Sequence, residues 1–257
     1  MSILKNKTVL ITGASKGIGE AIARHCAARG ANVLLAARNK AALDSIVTDI
    51  QAQEGQAFAV ECDVSHYDDV KRAVAHAVKE YKGLDILVNN AGLIDPIARL
   101  ADSDPEAWGF VVDVNLKGVY HGLRAAIPEM LKAGGGTIIN ISSGAATKVL
   151  EGWSHYCSTK AAVLSLTRCT DQEYVEQGIR VIGLSPGTVA TDMQKSIRAS
   201  GINPVSQLEW GAHIPPEWVA EAVEYLCAEA GDEFLGKDFS LKDNEARKRM
   251  GMPLLKS

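Results

Sequence analysis

Thr12-Gly13-Ala14-Ser15-Lys16-Gly17-Ile18-Gly19 follows the short apolar run Thr8-Val9-Leu10-Ile11. It opens a stretch, Gly19 to Arg29, with apolar residues at helical spacing (Ala21, Ile22, Cys26). A buried strand, a glycine turn and an amphipathic helix, in that order, begin a βαβ unit. Glycines permit a tight turn and let backbone N–H groups approach a pyrophosphate at the helix N-terminus. The spacing is G-x-x-x-G-x-G, one residue longer than the common G-x-G-x-x-G fingerprint. An ordinary strand–helix connection is the plain alternative. Position after the first strand of an α/β chain favours a dinucleotide site, with Gly13, Ser15, Lys16, Gly17, Ile18 and Gly19 as the cradle.

The same rhythm continues outward. Strand-like runs recur at Asn32–Ala36, Ala57–Glu61, Ile86–Val88, Thr137–Ile141 and Arg180–Leu184. Amphipathic stretches such as Ala41–Gln53 and Val70–Tyr81 separate them. Near-continuous apolar strands alternating with helices predict a parallel sheet covered on both faces. Right-handed crossovers make it doubly wound. The expectation is α/β: one Rossmann-like domain over residues 1–257, a doubly wound parallel sheet with helices on both faces. Dividing 257 residues by about 150 gives about 1.7, which alone permits one domain or two. No Pro/Gly/Ser linker breaks the pattern. Gly201, Pro204, Pro215 and Pro216 mark 193–216 as an irregular substrate-loop insert, and 244–257 reads as a C-terminal tail.

Composition excludes more than it assigns. At 47% apolar and 23% charged residues the chain is globular rather than disordered. A net charge of −4 argues against a nucleic-acid partner, which calls for a basic face. No apolar run approaches the roughly 18 residues of a membrane span, and Val9-Leu10-Ile11 is too short for a secretory signal. Five cysteines (26, 62, 157, 169, 227), odd in number and without a C-x-x-C pair, fit reduced thiols, mostly core fillers. A soluble, cytoplasmic protein is expected. The six histidines show no metal-ligand spacing, so no metal is expected.

The second strand ends Leu34-Leu35-Ala36-Ala37-Arg38-Asn39, without the carboxylate that usually holds the ribose 2′-hydroxyl of NAD. The Arg38 fork, with Lys16 as a second cation, suits a 2′-phosphate, so NADP(H) is expected over NAD(H). Tyr156 and Lys160 stand at i, i+4 in a long helical pattern, which puts phenol and ammonium on one face. A free phenol has a pKa near 10; a neighbouring ammonium lowers it toward a useful acid–base range. Ser143 closes a strand thirteen residues before Tyr156, where α/β sheets place ligand-binding groups.

These residues resemble the short-chain dehydrogenase/reductase family, in its main NAD(P)-dependent branch with TGxxxGxG and YxxxK motifs. The TGASKGIG turn, Cys62-Asp63-Val64, Asn89-Asn90-Ala91-Gly92, Asn115, the Ser143/Tyr156/Lys160 set and Pro186-Gly187 with Thr191 carry the likeness over residues 5 to about 192. The resemblance implies Tyr156 as general acid/base. Lys160 would lower its pKa and hold the nicotinamide ribose, and Ser143 would polarise the substrate carbonyl. Asn115 would bend its helix and hold a water of the proton relay. Asp63 and Val64 would contact the adenine, Asn90 and Gly92 the ribose, and Val189 and Thr191 the nicotinamide amide, beside Pro186 and Gly187. The implied partner is a small carbonyl or alcohol, and the implied assembly a homodimer or homotetramer. Gly236–Asp243 lacks the D-G-G turn of many members, so their tetramer contacts are not carried over. Arg247, Lys248 and Arg249 read as solvated surface.

Candidate pocket walls are Leu93, Ile94, Ala145, Glu151, Trp153 and the loop from Met193 to Trp210. A 3-oxoacyl thioester (acyl-carrier-protein) reductase is the alternative within the family. A non-catalytic NADP-binding sensor or scaffold is the alternative outside it. A hydrolase is excluded although Gly183-Leu184-Ser185-Pro186-Gly187 matches G-x-S-x-G. Pro186 stands where an oxyanion-hole N–H is needed. His155 points about 100° from Tyr156 on a helix and is at most a supporting residue.

Overall fold

A computed structural model of the chain describes residues 2–255. Met1, Lys256 and Ser257, the ends of the expected domain and tail, lie outside the described residues. Seven parallel strands form one sheet in the order β3-β2-β1-β4-β5-β6-β7. They are β1 (Thr8–Thr12), β2 (Asn32–Ala37), β3 (Gln56–Glu61), β4 (Ile86–Asn89), β5 (Gly136–Ile141), β6 (Ile179–Ser185) and β7 (Asp238–Ser240). The chain winds from β1 outward to β3, then crosses to β4 on the other side of β1. The topological switch point therefore lies between the carboxyl ends of β1 and β4, where open α/β sheets bind ligands.

The central strands are buried on both faces, and their side chains divide with period two. Val9, Ile11, Val33 and Leu35 pack with α1 (Gly17–Ala28), α2 (Lys40–Ala52) and α8 (Pro216–Cys227). Leu10, Leu34 and Ile138 pack on the opposite face with α3 (Tyr67–Tyr81), α5 (Gly118–Lys132) and α6 (Ser154–Tyr174). α4 (Pro105–Val112) runs into α5 through a π-helical turn, Asp113–Lys117, that contains Asn115. A buried ladder of side chains ties the middle of the sheet to α6. Asn89 Nδ2 donates to Asn140 Oδ1 at 2.9 Å, and Asn140 Nδ2 donates to Thr167 Oγ1 at 3.0 Å. Gly122 leaves the room this needs, since a Cβ there would lie 2.2 Å from Asn89 Oδ1.

Three expectations are corrected. The first eight residues of the predicted irregular insert belong to a helix, α7 (Asp192–Ser200), whose buried Gln194 and Ile197 stand one turn apart. The rest, to Pro215, is loop with two 3₁₀ turns, Pro204–Gln207 and Trp210–Ala212, and Pro216 begins α8. Of the tail, Asn244–Arg249 is helical (α9), and Arg247 is buried rather than solvated. Its guanidinium donates to the carbonyls of Leu241 and Pro253 and lies 5.1 Å from the Trp218 ring centre. A short edge strand, β7, completes the sheet where no apolar run announced one. No described helix is long and apolar enough to cross a membrane.

Candidate active site

The β1–α1 turn shows why its glycines are needed. Gly13 (φ +64°) lies so close to β4's exit that a Cβ would meet Ala91 Cα at 2.7 Å. On Gly19 it would meet Gly13 O at 2.4 Å and Asn90 Nδ2 at 2.6 Å. Asn90 causes this closeness: its amide donates to Thr12 O (2.9 Å) and Gly13 O (3.1 Å). Thr12 Oγ1 in turn accepts from the backbone N–H groups of Asn90 and Ala91 at 3.0 and 3.2 Å. The turn and the β4 exit are one braced unit. Gly19→Ala should therefore push the turn off Asn90, with an overpacking cost of about 1–3 kcal/mol. The expected result is a lower melting temperature and weaker dinucleotide binding, read by thermal shift and fluorescence titration. Unchanged values would show the turn yields freely.

The N-terminus of α1, with Lys16 at its N-cap, has no side-chain cap, so its leading N–H groups face the cavity unclaimed by the chain. That is the donor set a pyrophosphate requires, and the glycine cradle in front of it leaves the space, so the residues fit a dinucleotide. From this turn a cavity of about 1440 Å³ runs past Arg38, Asp63 and Val64, along Asn90–Ile94, to Ser143, Tyr156 and Lys160. Pro186, Gly187, Val189 and Thr191 form the opposite wall, with Thr191 Cγ2 placed 3.1 Å from where a Gly17 Cβ would be. Arg38 is exposed on this wall beside Ala37 and Asn39. Lys16 instead reaches Asp192 Oδ2 at 3.2 Å, so the second expected cation is shared with α7.

At the inner end Lys160, buried on α6, donates from Nζ to Ile141 O at 2.6 Å and lies 5.7 Å from the Tyr156 ring centre. The Trp153 ring meets Tyr156 edge-on at 5.6 Å. Burial pushes the Tyr156 phenol up to about 12, while the facing Ser143 side chain pulls the other way. Burial lowers Lys160 to about 8, and the Asp238 carboxylate opposes that fall. The expectation that Lys160 depresses the phenol is thus not met in the chain alone. Taking the phenolate out of water is the largest influence on the phenol, and the ammonium gives one of its three donors to a carbonyl.

Two expected site residues stand behind the wall rather than on it. Gly19 packs against the turn, and Asn115 is fully buried. Asn115 Oδ1 accepts from Leu93 N at 2.8 Å and its Nδ2 donates to Leu93 O at 2.9 Å. It holds the loop that carries Gly92 and Ile94. His155 does similar work, with Nε2 2.8 Å from Ile94 O. The outer cavity is lined by Ile94, Trp153, Met193, Ile197 and Val205, as expected in kind. Glu151 is not part of it: its carboxylate pairs with Arg99 at 2.6 Å. Trp210 meets His213 edge-on and is exposed. Sequence reading missed Ser142, Arg168, Asp238 and Lys242 on the wall. Ser142 stands beside Ser143 in the strand-end signal, and Lys242 replaces part of the D-G-G pattern.

A glycine turn at the switch point and a Ser/Tyr/Lys group at the other end of one cavity mark a nucleotide-dependent oxidoreductase of the α/β class. The family described as short chain dehydrogenase matches residues 7–201, and the chain belongs to it. Members act on CH–OH and C=O groups with NAD(P)(H). Dehydrogenase/reductase SDR family member 4 of Oryctolagus cuniculus is 33% identical over 237 residues, 91% of each chain. The 3-oxoacyl-acyl-carrier-protein reductase FabG of Staphylococcus aureus is 36% identical over 192 residues, covering 74% of this chain and 78% of the relative. A short-chain type dehydrogenase/reductase from Mycobacterium marinum superposes with a TM-score of 0.85 at 33% identity, covering 92% and 94% of the two chains.

Proposed function

We propose that the chain, acting as one domain, transfers a hydride between NADP(H) and a small carbonyl or secondary alcohol, with Tyr156 as general acid/base. The observation that supports this best is the meeting of Ser143, Tyr156 and Lys160 at the end of the cavity away from the glycine turn. The nicotinamide, when bound, supplies or accepts the hydride. The chain's residues do the rest. Ser143 Oγ donates to the substrate oxygen and orients it toward Tyr156. In reduction, the Tyr156 O–H delivers its proton to that oxygen as charge develops there; in oxidation, the phenolate takes it back. Lys160 supplies a positive charge that favours the developing phenolate against the cost of burial, and it would hold the nicotinamide ribose. Asn115 positions the Gly92 loop against the same group. Gly13, Ser15, Lys16, Gly17 and Ile18 hold the pyrophosphate, with Gly19 packing the turn into place. Asp63 and Val64 take the adenine, Asn90 and Gly92 the ribose, and Pro186, Gly187, Val189 and Thr191 the nicotinamide.

Turnover is tested by NADPH oxidation against a panel of ketones, sugars, hydroxy-acid precursors and 3-oxoacyl thioesters. The likeness to FabG supports including the thioesters as a second reading, and activity confined to them would select it. Tight NADPH binding with no turnover on any substrate would favour the sensor alternative.

Cofactor choice rests on Arg38. A bidentate charge-assisted contact is worth roughly 1.5–3 kcal/mol. Arg38→Asp should lower kcat/KM for NADPH by about ten- to a hundredfold and raise the NADH/NADPH ratio. Steady-state kinetics with both cofactors measure this. An untouched preference for NADPH would refute the assignment.

A further inference from the structure

Beneath the Tyr156/Lys160 pair lies a carboxylate that the reaction, as described, does not use. Asp238 opens β7 and lies beside Gly183 in the parallel ladder. Its side chain turns over the β6 backbone: a Cβ on Gly183 would fall 1.8 Å from Asp238 Oδ1, so only glycine permits this rotamer. Oδ2 accepts from the Ser142 hydroxyl at 2.7 Å, and Ser142 itself is buried. Oδ1 is buried without any hydrogen-bond partner. The residue before Ser142 is Ile141, whose carbonyl receives Lys160 Nζ at 2.6 Å. Ammonium and carboxylate are thus joined through a single peptide unit at the end of β5, and both line the same cavity.

A half-buried carboxylate with one donor and one buried, unpartnered oxygen is costly unless a charge compensates it. The charged groups facing it from the packed elements are Lys160 and Arg168, both on α6, and Lys237 precedes it in the chain. Ser142, the residue after β5, offers its hydroxyl, and β6 faces the carboxylate with Gly183. Arg168 and Lys237 are exposed, so water screens them; Lys160 is buried, so its attraction is screened least. We propose that Asp238, held by Ser142 over Gly183, is a positioning residue that keeps Lys160 protonated beside Tyr156. It acts through Lys160, with its own hydrogen bond going to Ser142. Burial alone drives Lys160 toward the neutral amine, and Asp238 is the charge that opposes this.

The sign of the effect follows from charge alone. Removing a negative group near the Tyr156/Lys160 pair makes the pair lose its proton at lower pH, whichever residue the proton leaves from. Carbonyl reduction needs the protonated pair, so its alkaline limb should move down.

The test is the pH–rate profile of carbonyl reduction with NADPH for wild type, Asp238→Asn, Ser142→Ala and Tyr156→Phe. Asparagine keeps the acceptor for Ser142 and removes the charge. The expected result is an alkaline limb shifted by about half a pH unit or more to lower pH. Ser142→Ala should move the same limb the same way by less, because a carboxylate stripped of its donor is neutralised more readily. A uniform loss of rate or of thermal stability with the limb unmoved would overturn the proposal. If Asp238→Asn does not fold, an unmoved limb in Ser142→Ala overturns it equally. The inference rests on the Tyr156/Lys160 reading above, and Tyr156→Phe separates the two. Retained turnover there defeats the reading itself, whereas a dead Tyr156→Phe with unmoved Asp238→Asn defeats only the role of Asp238.

Discussion

Tyr156→Phe should leave NADPH affinity within about twofold of wild type and lower kcat for carbonyl reduction by about 10²–10⁴-fold, the usual worth of one positioned proton donor. The substitution removes one oxygen and leaves the ring, so the edge-on packing against Trp153 survives. In the chain alone the phenol is held up near 12, so it is fully protonated at neutral pH and available as an acid. The first proton the pair loses is the one held by Lys160 at about 8. Reduction should therefore be nearly flat through neutrality and decline above about pH 8, where Lys160 loses the charge that favours the developing phenolate. Stopped-flow or steady-state NADPH oxidation measures the rate, and fluorescence titration the affinity. Wild-type turnover in the variant would remove Tyr156 from the mechanism.

Local signals carried most of this site into view. The β1–α1 turn, the Tyr156/Lys160 spacing and the strand-end Ser143 each depend on residues close in sequence, and the structure brings all of them to one cavity. What stayed hidden depends on partners far along the chain. Asp238-Phe239-Ser240 is too short to show alternation, and only the parallel pairing with Gly183-Leu184-Ser185 makes it a strand. Arg247 looks solvated among Lys248 and Arg249 because nothing local reveals that the Leu241 and Pro253 carbonyls will enclose its guanidinium. Glu151 looks like a pocket wall until Arg99, 52 residues away, claims it. Gly201 and Pro204 hide α7 in the sequence, because they end it and begin the following loop and so make the whole segment read as irregular. The expected pKa of Tyr156 failed for a different reason. Spacing predicts that an ammonium is near, but the balance between that charge and desolvation depends on burial, which one helix face does not reveal.

Lys160→Met should be inactive and more stable. Loss of activity follows from removing the positive charge beside the phenol and the group proposed to hold the ribose; a fall in kcat of at least a hundredfold is expected. Stability moves the other way because the fold opposes the charge on this residue. An unfolded lysine titrates near 10.4, whereas Lys160 in the fold titrates at about 8. Between those values the unfolded chain binds more protons, so stability rises with pH across the window, and below about 8 the whole cost is present. A gap of that size corresponds to about 3 kcal/mol at neutral pH. Against it stands the lost hydrogen bond from Nζ to Ile141 O, worth about 1 kcal/mol. Methionine fills nearly the same volume, so little cavity is created. Asp238 loses its facing cation but can take up a proton, which limits that cost. The net expectation is a gain of about 1–2 kcal/mol, or about 2–8 °C in Tm for a chain of this size. Differential scanning at pH 7 should show the gain, and repeating it toward pH 10 should show the gap closing as wild-type Lys160 becomes neutral in the fold. A variant that melts lower than wild type at pH 7, with a constant difference across that range, would mean the ammonium is well compensated where it lies. Should the gap close as expected, the buried charge is a stability cost retained for the proton it keeps beside Tyr156.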